Sequence, residues 1–559
     1  MLMLMIGTPQ SVATHSFFLH TMARGFTFRD AAASTAPADP FDVDALVEMF
    51  ASTLDPDLIR DVARGSVDAS SALDALLSLS QQQPLNDNVV ETSTSTDRRP
   101  METQYFGGNL PDDVRDVIFS RLSAKDAAVL ACTCREFHAL VESWRSRATN
   151  LDLPKPSASG KWSDAERVAS MLRAYPNAKK ISFKKLGRAL KPSVEEDAHD
   201  WLKLKRVLAA AARGNENSKS VEAIDFEGVA EWLTEFSVVE VAEFCRESFP
   251  SLTSLSLPRA RALTGKGLSR LLQSCGETLR ELKLVGCASL DDDSIRLLLD
   301  SARGLRSIDL TGCSGIKQLK VEAQDAPHLE RFKAVNCASM TTCSIRRTAA
   351  SNALKSINLA DCASLRSLQV QSGSVELVNA AGCKSMDVLN IFAPRCETLL
   401  LNKCASLRAL TEEINTCRTN VSSLAFLTLD SCKVFTSSGF ADLLNMCAGT
   451  LIELSAEGCF SIERVSCAST KLERCAVSGC VALQVVRLSS AKCKRFVARA
   501  CKMLTEVRFE NGSSYDMELF DVRNSAALKR VVGVKRARVR RIDVSGCPSD
   551  LDFIESAFS

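Results

Sequence analysis

Cysteine offers the most varied chemistry in this chain, and there are 22 of them. A thiolate attacks electrophiles, binds soft metals and closes disulfides, and spacing decides which of these a sequence supports. No Cys-x-x-Cys pair occurs, and the five histidines, at 15, 20, 138, 199 and 328, are scattered. A zinc site needs grouped ligands and a Cys/His catalytic pair needs converging ones, so the sequence draws neither, and it implies no metal or cofactor. Disulfide frameworks belong mainly to short secreted chains. Repetition remains, and it can be tested directly.

From Cys287 onward a cysteine closes the same pattern again and again: apolar-x-x-apolar-x-apolar-x-x-Cys. It fits Leu279, Leu282, Leu284 and Cys287, then Leu305, Ile308, Leu310 and Cys313, then Leu329, Phe332, Ala334 and Cys337. Further copies end at Cys362, Cys432 and Cys459, and weaker ones at Cys383, Cys404, Cys480, Cys501 and Cys547. Successive steps are 26, 24, 25, 21, 21, 28, 27, 21 and 21 residues, and the last is 46, about two units. This spacing resembles that of leucine-rich repeats, whose final position takes Asn or Cys. The apolar-x-apolar centre reads as a short strand, its apolar side chains inward and its x side chains on the concave surface. The thiol sits where the chain turns away, as a small packing group and weak donor.

A second apolar run follows each cysteine, such as Leu365, Leu368 and Val370 after Cys362. In the 21-residue units it should return in extended form. Longer units have room for a helix, as at 294–301 and 437–446. Segments 201–213 and 238–247 also read as helices, and irregular strands upstream start the array near residue 177. The expected fold class is α/β: a curved solenoid of short parallel strands, preceded by small helical modules.

Length agrees with an array. A chain of 559 residues exceeds the ~250–300 at which one hydrophobic core stops growing, whereas a repeat stack has no such limit. Apolar residues make up 46% and charged ones 24%, which excludes a disordered or collagen-like chain. No apolar run reaches the ~18–20 residues of a membrane span. The first 29 residues contain Arg24 and Arg29 and no acidic residue, a faint likeness to an organelle transit peptide. A disordered tail, or a start at Met22, is the plainer reading. The net charge of +2 gives no argument for nucleic acid as a partner.

Ahead of the repeats, Pro111 suits a first helical position, and Val114, Val117, Ile118 and Leu122 recur at helical spacing. Ser123 and Asp126 resemble a capping box for a second helix, and a third carries Phe137, Leu140, Val141 and Trp144. Leu110-Pro111, Ile118, Leu122, Cys134-Arg135, Phe137 and Leu140 together resemble an F-box, and its order before the repeats resembles that of F-box/leucine-rich-repeat proteins. The resemblance covers about 110–150 and about 177–550. It implies a non-catalytic substrate receptor of a Skp–cullin–F-box ubiquitin ligase. Leu110, Pro111, Val114, Val117, Ile118 and Leu122 would contact the Skp-family adaptor and, through it, reach the cullin. The same residues would serve equally as the core of a helical subdomain. Ala127, Ala128 and Cys132 depart from the family, which more often has larger aliphatic residues at the two alanines. They put the tightness of adaptor binding in doubt.

Residues 1–100 carry 6 basic and 13 acidic residues. Within them, Asp42, Asp55 and Asp68 are placed to cap three helices. This stretch resembles a CUE or UBA-like domain: Met49-Phe50 matches its Met-Phe-Pro motif except for Ala51, and Leu76-Leu77 matches its dileucine. The resemblance implies ubiquitin binding through Met49, Phe50, Leu76 and Leu77, against a plain helical bundle with those residues as core. The expected order is a tail at 1–40, the CUE-like module at 41–80, a flexible linker at 81–106, the F-box at 107–150, a linker at 151–176 and repeats at 177–559.

A protein substrate would meet the x positions. These include Lys283, Arg331, Lys333, Arg495 and Arg499, the acidic Glu281, Asp309, Asp430, Glu453 and Glu457, and the apolar Leu400 and Phe426. Residues 491–541 hold 14 basic against 5 acidic side chains, densest at 535–541. Three readings stay open for them: a solvated cap, a dock for an acidic or phosphorylated segment, and a nuclear-localisation patch. Cytoplasmic or nuclear residence is expected. Two further readings stand beside the ligase subunit: a scaffold or inhibitor without ubiquitination, and a receptor whose repeats hold a small molecule.

Overall fold

The computed structural model describes residues 119, 122, 127, 130–132, 135–153, 170–171, 173–184, 202–214 and 220–555, except 302, 348–352, 411–412, 415–416 and 511–516. All fall in one unit, Leu110–Ser559. The CUE-like module at 41–80 and the linker at 81–106 lie outside the described residues.

Short strands, most with one buried residue between two solvent-facing ones, form a sheet of sixteen, running from Asn150–Asp152 to Ile542–Asp543. Its pairings are parallel and in register, so the inward residues stack: Leu255 on Leu282, Leu282 on Ile308, Ile308 on Phe332. Burial drives this, because the middle apolar side chain leaves water in nearly every strand and a slip of one residue would expose the whole stack. The fold is therefore α/β and built as the repeat spacing requires, consistent with leucine-rich repeats. The sheet begins earlier than the expected start near 177, since Asn150–Asp152 pairs with Lys180–Ser182. That first strand buries Leu151 and Leu153 but has no cysteine after it, so it left no mark in the repeat spacing.

The cysteines join one repeat to the one before. The Cys287 thiol donates to the Leu257 carbonyl at 3.3 Å, Cys362 to Ala334 at 3.0 Å, Cys432 to Leu401 at 3.0 Å and Cys501 to Val477 at 3.1 Å. In the 46-residue step between Cys501 and Cys547 the missing cysteine is Ser525, whose buried hydroxyl donates to the Ala498 carbonyl at 2.9 Å. The residue before each of these positions is left-handed, for example Gly286 at φ 72° and Lys403 at φ 63°. That twist aims its amide at the following repeat: Gly286 N–H donates to Thr311 and Lys403 N–H to Asp430, both at 2.7 Å. Each turn is thus tied backward by a side chain and forward by the backbone.

Step length selects the return path. The 24-, 25- and 21-residue steps return as strands, in a four-stranded sheet from Gln318–Val321 to Val388–Phe392 and a five-stranded one from Arg464–Cys467 to Asp552–Ile554. The longer steps return as the helices Asp292–Ser301 and Ser437–Met446, and upstream as Glu235–Ser248 and Gly265–Cys275. The 28-residue step instead carries a hairpin of Glu413–Ile414 and Cys417–Arg418. Leu202–Gly214 occupies the helix expected at 201–213. Strands stack about 4.8 Å apart and helices about 8–10 Å apart, so the array bends where helices back the long sheet and runs straighter where strands do.

The side chains of all 22 cysteines but Cys134 and Cys417 are described, and none of those described forms a disulfide. Burial pushes the thiols of Cys287, Cys383 and Cys480 from the ordinary 9.0 up to about 12. Above about pH 9 the unfolded chain therefore sheds protons that the folded chain keeps, and stability falls as pH rises towards 12. Urea midpoints at about pH 7.5, 9 and 10.5 should decline above 9, and a midpoint that holds or rises through 10.5 contradicts the assignment. Replacing Cys432 by Ser should cost less than about 1 kcal/mol, because Ser525 already fills this role, whereas Cys432→Ala should cost about 1–3 kcal/mol by leaving a small cavity and the Leu401 carbonyl with only its bond from the Cys404 amide.

Candidate functional site

Two surfaces have to be placed: the helical segment before the sheet and the solvent face of the sheet itself. Of the expected adaptor contacts, Leu122 is described and half-buried, its amide donating to the Phe119 carbonyl at 3.0 Å. Leu110, Pro111, Val114, Val117 and Ile118 lie outside the described residues. The helix Arg135–Arg147 buries Val141 and Trp144. The Trp144 ring lies 5.7 Å from Phe119 on one side and meets Tyr175 edge-on at 5.6 Å on the other. Asn177 donates to the Ser146 carbonyl at 2.6 Å, and Lys179 N–H to Thr149 at 2.7 Å. Trp144 is thus shared between the helical segment and the first turns of the sheet.

On the sheet face most of the expected basic contacts are already neutralised. Lys283 pairs with Glu281 at 3.4 Å, Lys333 with Asp309 at 3.1 Å, Arg495 with Glu518 at 2.8 Å and Arg499 with Asp521 at 2.7 Å. Asp521 is 3% exposed and also takes Arg523 at 3.1 Å, so it anchors the basic end of the array. Arg331 makes no ion pair among the described residues. The dense run 535–541 is folded: Arg536–Arg538 forms a 3-10 turn, Arg536 stacks on the Phe553 ring at 4.1 Å, and Arg540 N–H donates to Met517 at 2.8 Å.

The middle of the face is different. Phe426 is 40% exposed, and Leu400 and Leu377 are half-buried on the two preceding strands. Leu377 opposes Thr398, Thr398 opposes Phe426, and Leu400 opposes Thr428. The structure therefore brings Leu400 and Phe426 together and adds Leu377. The repeat ending at Cys383 is a weak copy, so Leu377 was missed. The 21-residue step from Cys362 aligns it with Ser356, an x position, and could have found it. Val434, Phe460, Val481 and Met503 are also exposed, each one or two residues past a turn cysteine in four consecutive repeats. Earlier repeats have Ser, Ala or Gly at most of these places, a contrast legible in the sequence once the repeats are aligned.

The F-box domain family matches residues 108–149. No curated protein matches the chain. A crystal structure of the Rad7 and Elc1 complex in yeast covers 79% of this chain and 92% of that chain at 13% identity, with a TM-score of 0.26, too loose a superposition to carry an argument. The chain thus combines an F-box domain with a long parallel-strand solenoid.

Two outcomes are expected. Asp521→Ala should lower stability by about 1–3 kcal/mol, because two guanidinium groups lose a buried partner, whereas Glu518→Ala, at an exposed carboxylate, should leave the urea midpoint unchanged; urea denaturation measures both. Trp144→Ala should cost about 3–5 kcal/mol and make the 135–184 segment more sensitive to protease, and unchanged proteolysis would contradict a shared core there.

Proposed function

We propose that this chain is the substrate-recognition subunit of a Skp–cullin–F-box type ubiquitin ligase. The observation that carries the reading is the F-box match at 108–149, joined to a solenoid face through Trp144 and Tyr175. The F-box holds a Skp-family adaptor and, through it, a cullin. The sheet face holds a target protein and presents its lysines to a ubiquitin-loaded enzyme. The subunit itself performs no chemistry, and its contribution is effective concentration, which rises when the linkage between the two surfaces is short and stiff. A side chain packed into both segments supports such stiffness. Met49, Phe50, Leu76 and Leu77 would add a ubiquitin contact to the same task, and an NMR titration of the full chain with ubiquitin tests it.

The test is co-elution of the purified full-length chain with a Skp-family adaptor and cullin. Leu110→Ala with Pro111→Ala should abolish that association while leaving the thermal transition of the solenoid in place. Association that survives both substitutions, or never forms with the native chain, refutes the ligase reading and leaves an interaction scaffold.

A further inference from the structure

The solvent face of the long sheet is not uniform in charge, and its pairing pattern separates used from unused groups. Toward both ends, lysines and arginines sit against carboxylates on the same or a neighbouring strand, as in Arg306–Glu330 and Lys494–Glu473. Between them, over the five strands from Ser356–Asn358 to Glu453–Ser455, the balance changes. The charged residues on and beside these strands are Lys355 against Glu376, Glu397, Asp430, Glu453 and Glu457. Lys403 and Asp361, on the turns just beyond, offset each other. Glu453 is paired with Arg474. Glu376, Glu397, Asp430 and Glu457 make no ion pair among the described residues.

These four carboxylates are arranged about the apolar patch. Glu376 and Glu397 directly precede the strands that carry Leu377 and Leu400, on one edge of the face. Asp430 and Glu457 lie two residues past the strand ends at Thr428 and Ser455, on the opposite edge. At about 3.3 Å per residue, the two rows stand roughly 17 Å apart, wide enough for a helix of about 10–12 Å or an extended segment between them. Asp430 is held in place, its carboxylate accepting from the Ser455 hydroxyl at 2.6 Å and the Glu457 amide at 2.8 Å. Leaving like charges unpaired around an exposed aromatic costs stability through mutual repulsion, and a cationic partner would relieve it.

We infer that this mid-sheet patch binds a target segment with an aliphatic or aromatic anchor flanked by lysine or arginine, rather than an acidic or phosphorylated one. The inference rests on the reading of the chain as a substrate receptor and names the chemistry of what it receives. The anchor packs against Leu377, Leu400 and Phe426, and the flanking cations meet Glu376 and Glu397 on one side and Asp430 and Glu457 on the other. At the basic end, Arg495, Arg499 and Arg523 are already engaged by Glu518 and Asp521.

A phage-displayed library of random peptides, panned against the full-length chain, tests this. The expected consensus is one large apolar residue with Lys or Arg within a few positions on both sides. Selected peptides should lose at least about tenfold in affinity against Phe426→Glu and against the double variant Glu376→Lys with Glu397→Lys. Their binding should weaken between about 50 and 300 mM salt. All three positions are solvent-facing, so unchanged thermal melting shows that the variants are folded. An acidic consensus, no enrichment over the Phe426→Glu chain, or equal binding to all variants overturns the inference. Adaptor co-elution is read separately on the same preparations, so a failure of this inference is distinguishable from a failure of the ligase reading.

Discussion

From Cys287 onward the solenoid depends on one repeated contact, the bond from a turn cysteine to a strand-end carbonyl of the repeat before. Where the chain leaves a strand, its backbone must find partners outside that strand, and an unpaired buried carbonyl would cost about 1–3 kcal/mol. The thiol meets this need in a space too small for most polar side chains. Ser525 shows that the donor matters more than the sulfur, since a hydroxyl in the same place makes the same bond. The left-handed residue before it sends the adjacent amide forward, so one turn is linked in both directions. Parallel register then follows, and with it the placement of every x side chain on one face.

That placement converts a repeat pattern into one continuous surface. Neighbouring x positions lie close enough for ion pairs, and the chain uses this to neutralise its own arginines at the basic end. The strongly charged segment 491–541 is consequently less available than its sequence suggests, because Arg495, Arg499 and Arg523 are spent on Glu518, Asp521 and Asp543. The middle of the face, ordinary in sequence, is where unpaired carboxylates and exposed apolar groups coincide. The turns that follow, with Val434, Phe460, Val481 and Met503, extend the unusual region beyond the face itself.

Much of the fold was legible because the sequence repeats its own physics. The cysteine steps gave strand positions, and their lengths separated helical from extended returns, as at Asp292–Ser301 against Ser367–Gln371. The strand at Asn150–Asp152 was not legible, because three residues with no turn cysteine carry no periodicity. Nor was the pairing of Arg499 with Asp521, since 22 residues of sequence separate partners that only the register brings together. Lys283, Lys333 and Arg495 lie on strands and Arg499 two residues past one, and each is paired with a carboxylate. Phe426 is exposed because the 28-residue step before it ends in the same strand geometry as its neighbours.

The central claim is that one face of the solenoid selects proteins for an ubiquitination machine bound at the F-box. The most direct measurement is quantitative proteomics of proteins retained by the Leu110→Ala/Pro111→Ala chain, compared with the same chain also carrying Phe426→Glu. The account predicts a small set of proteins that accumulate in cells with the first chain, co-purify with it and are lost from the second. Proteins retained equally by both chains, with no change in their cellular abundance, would contradict it.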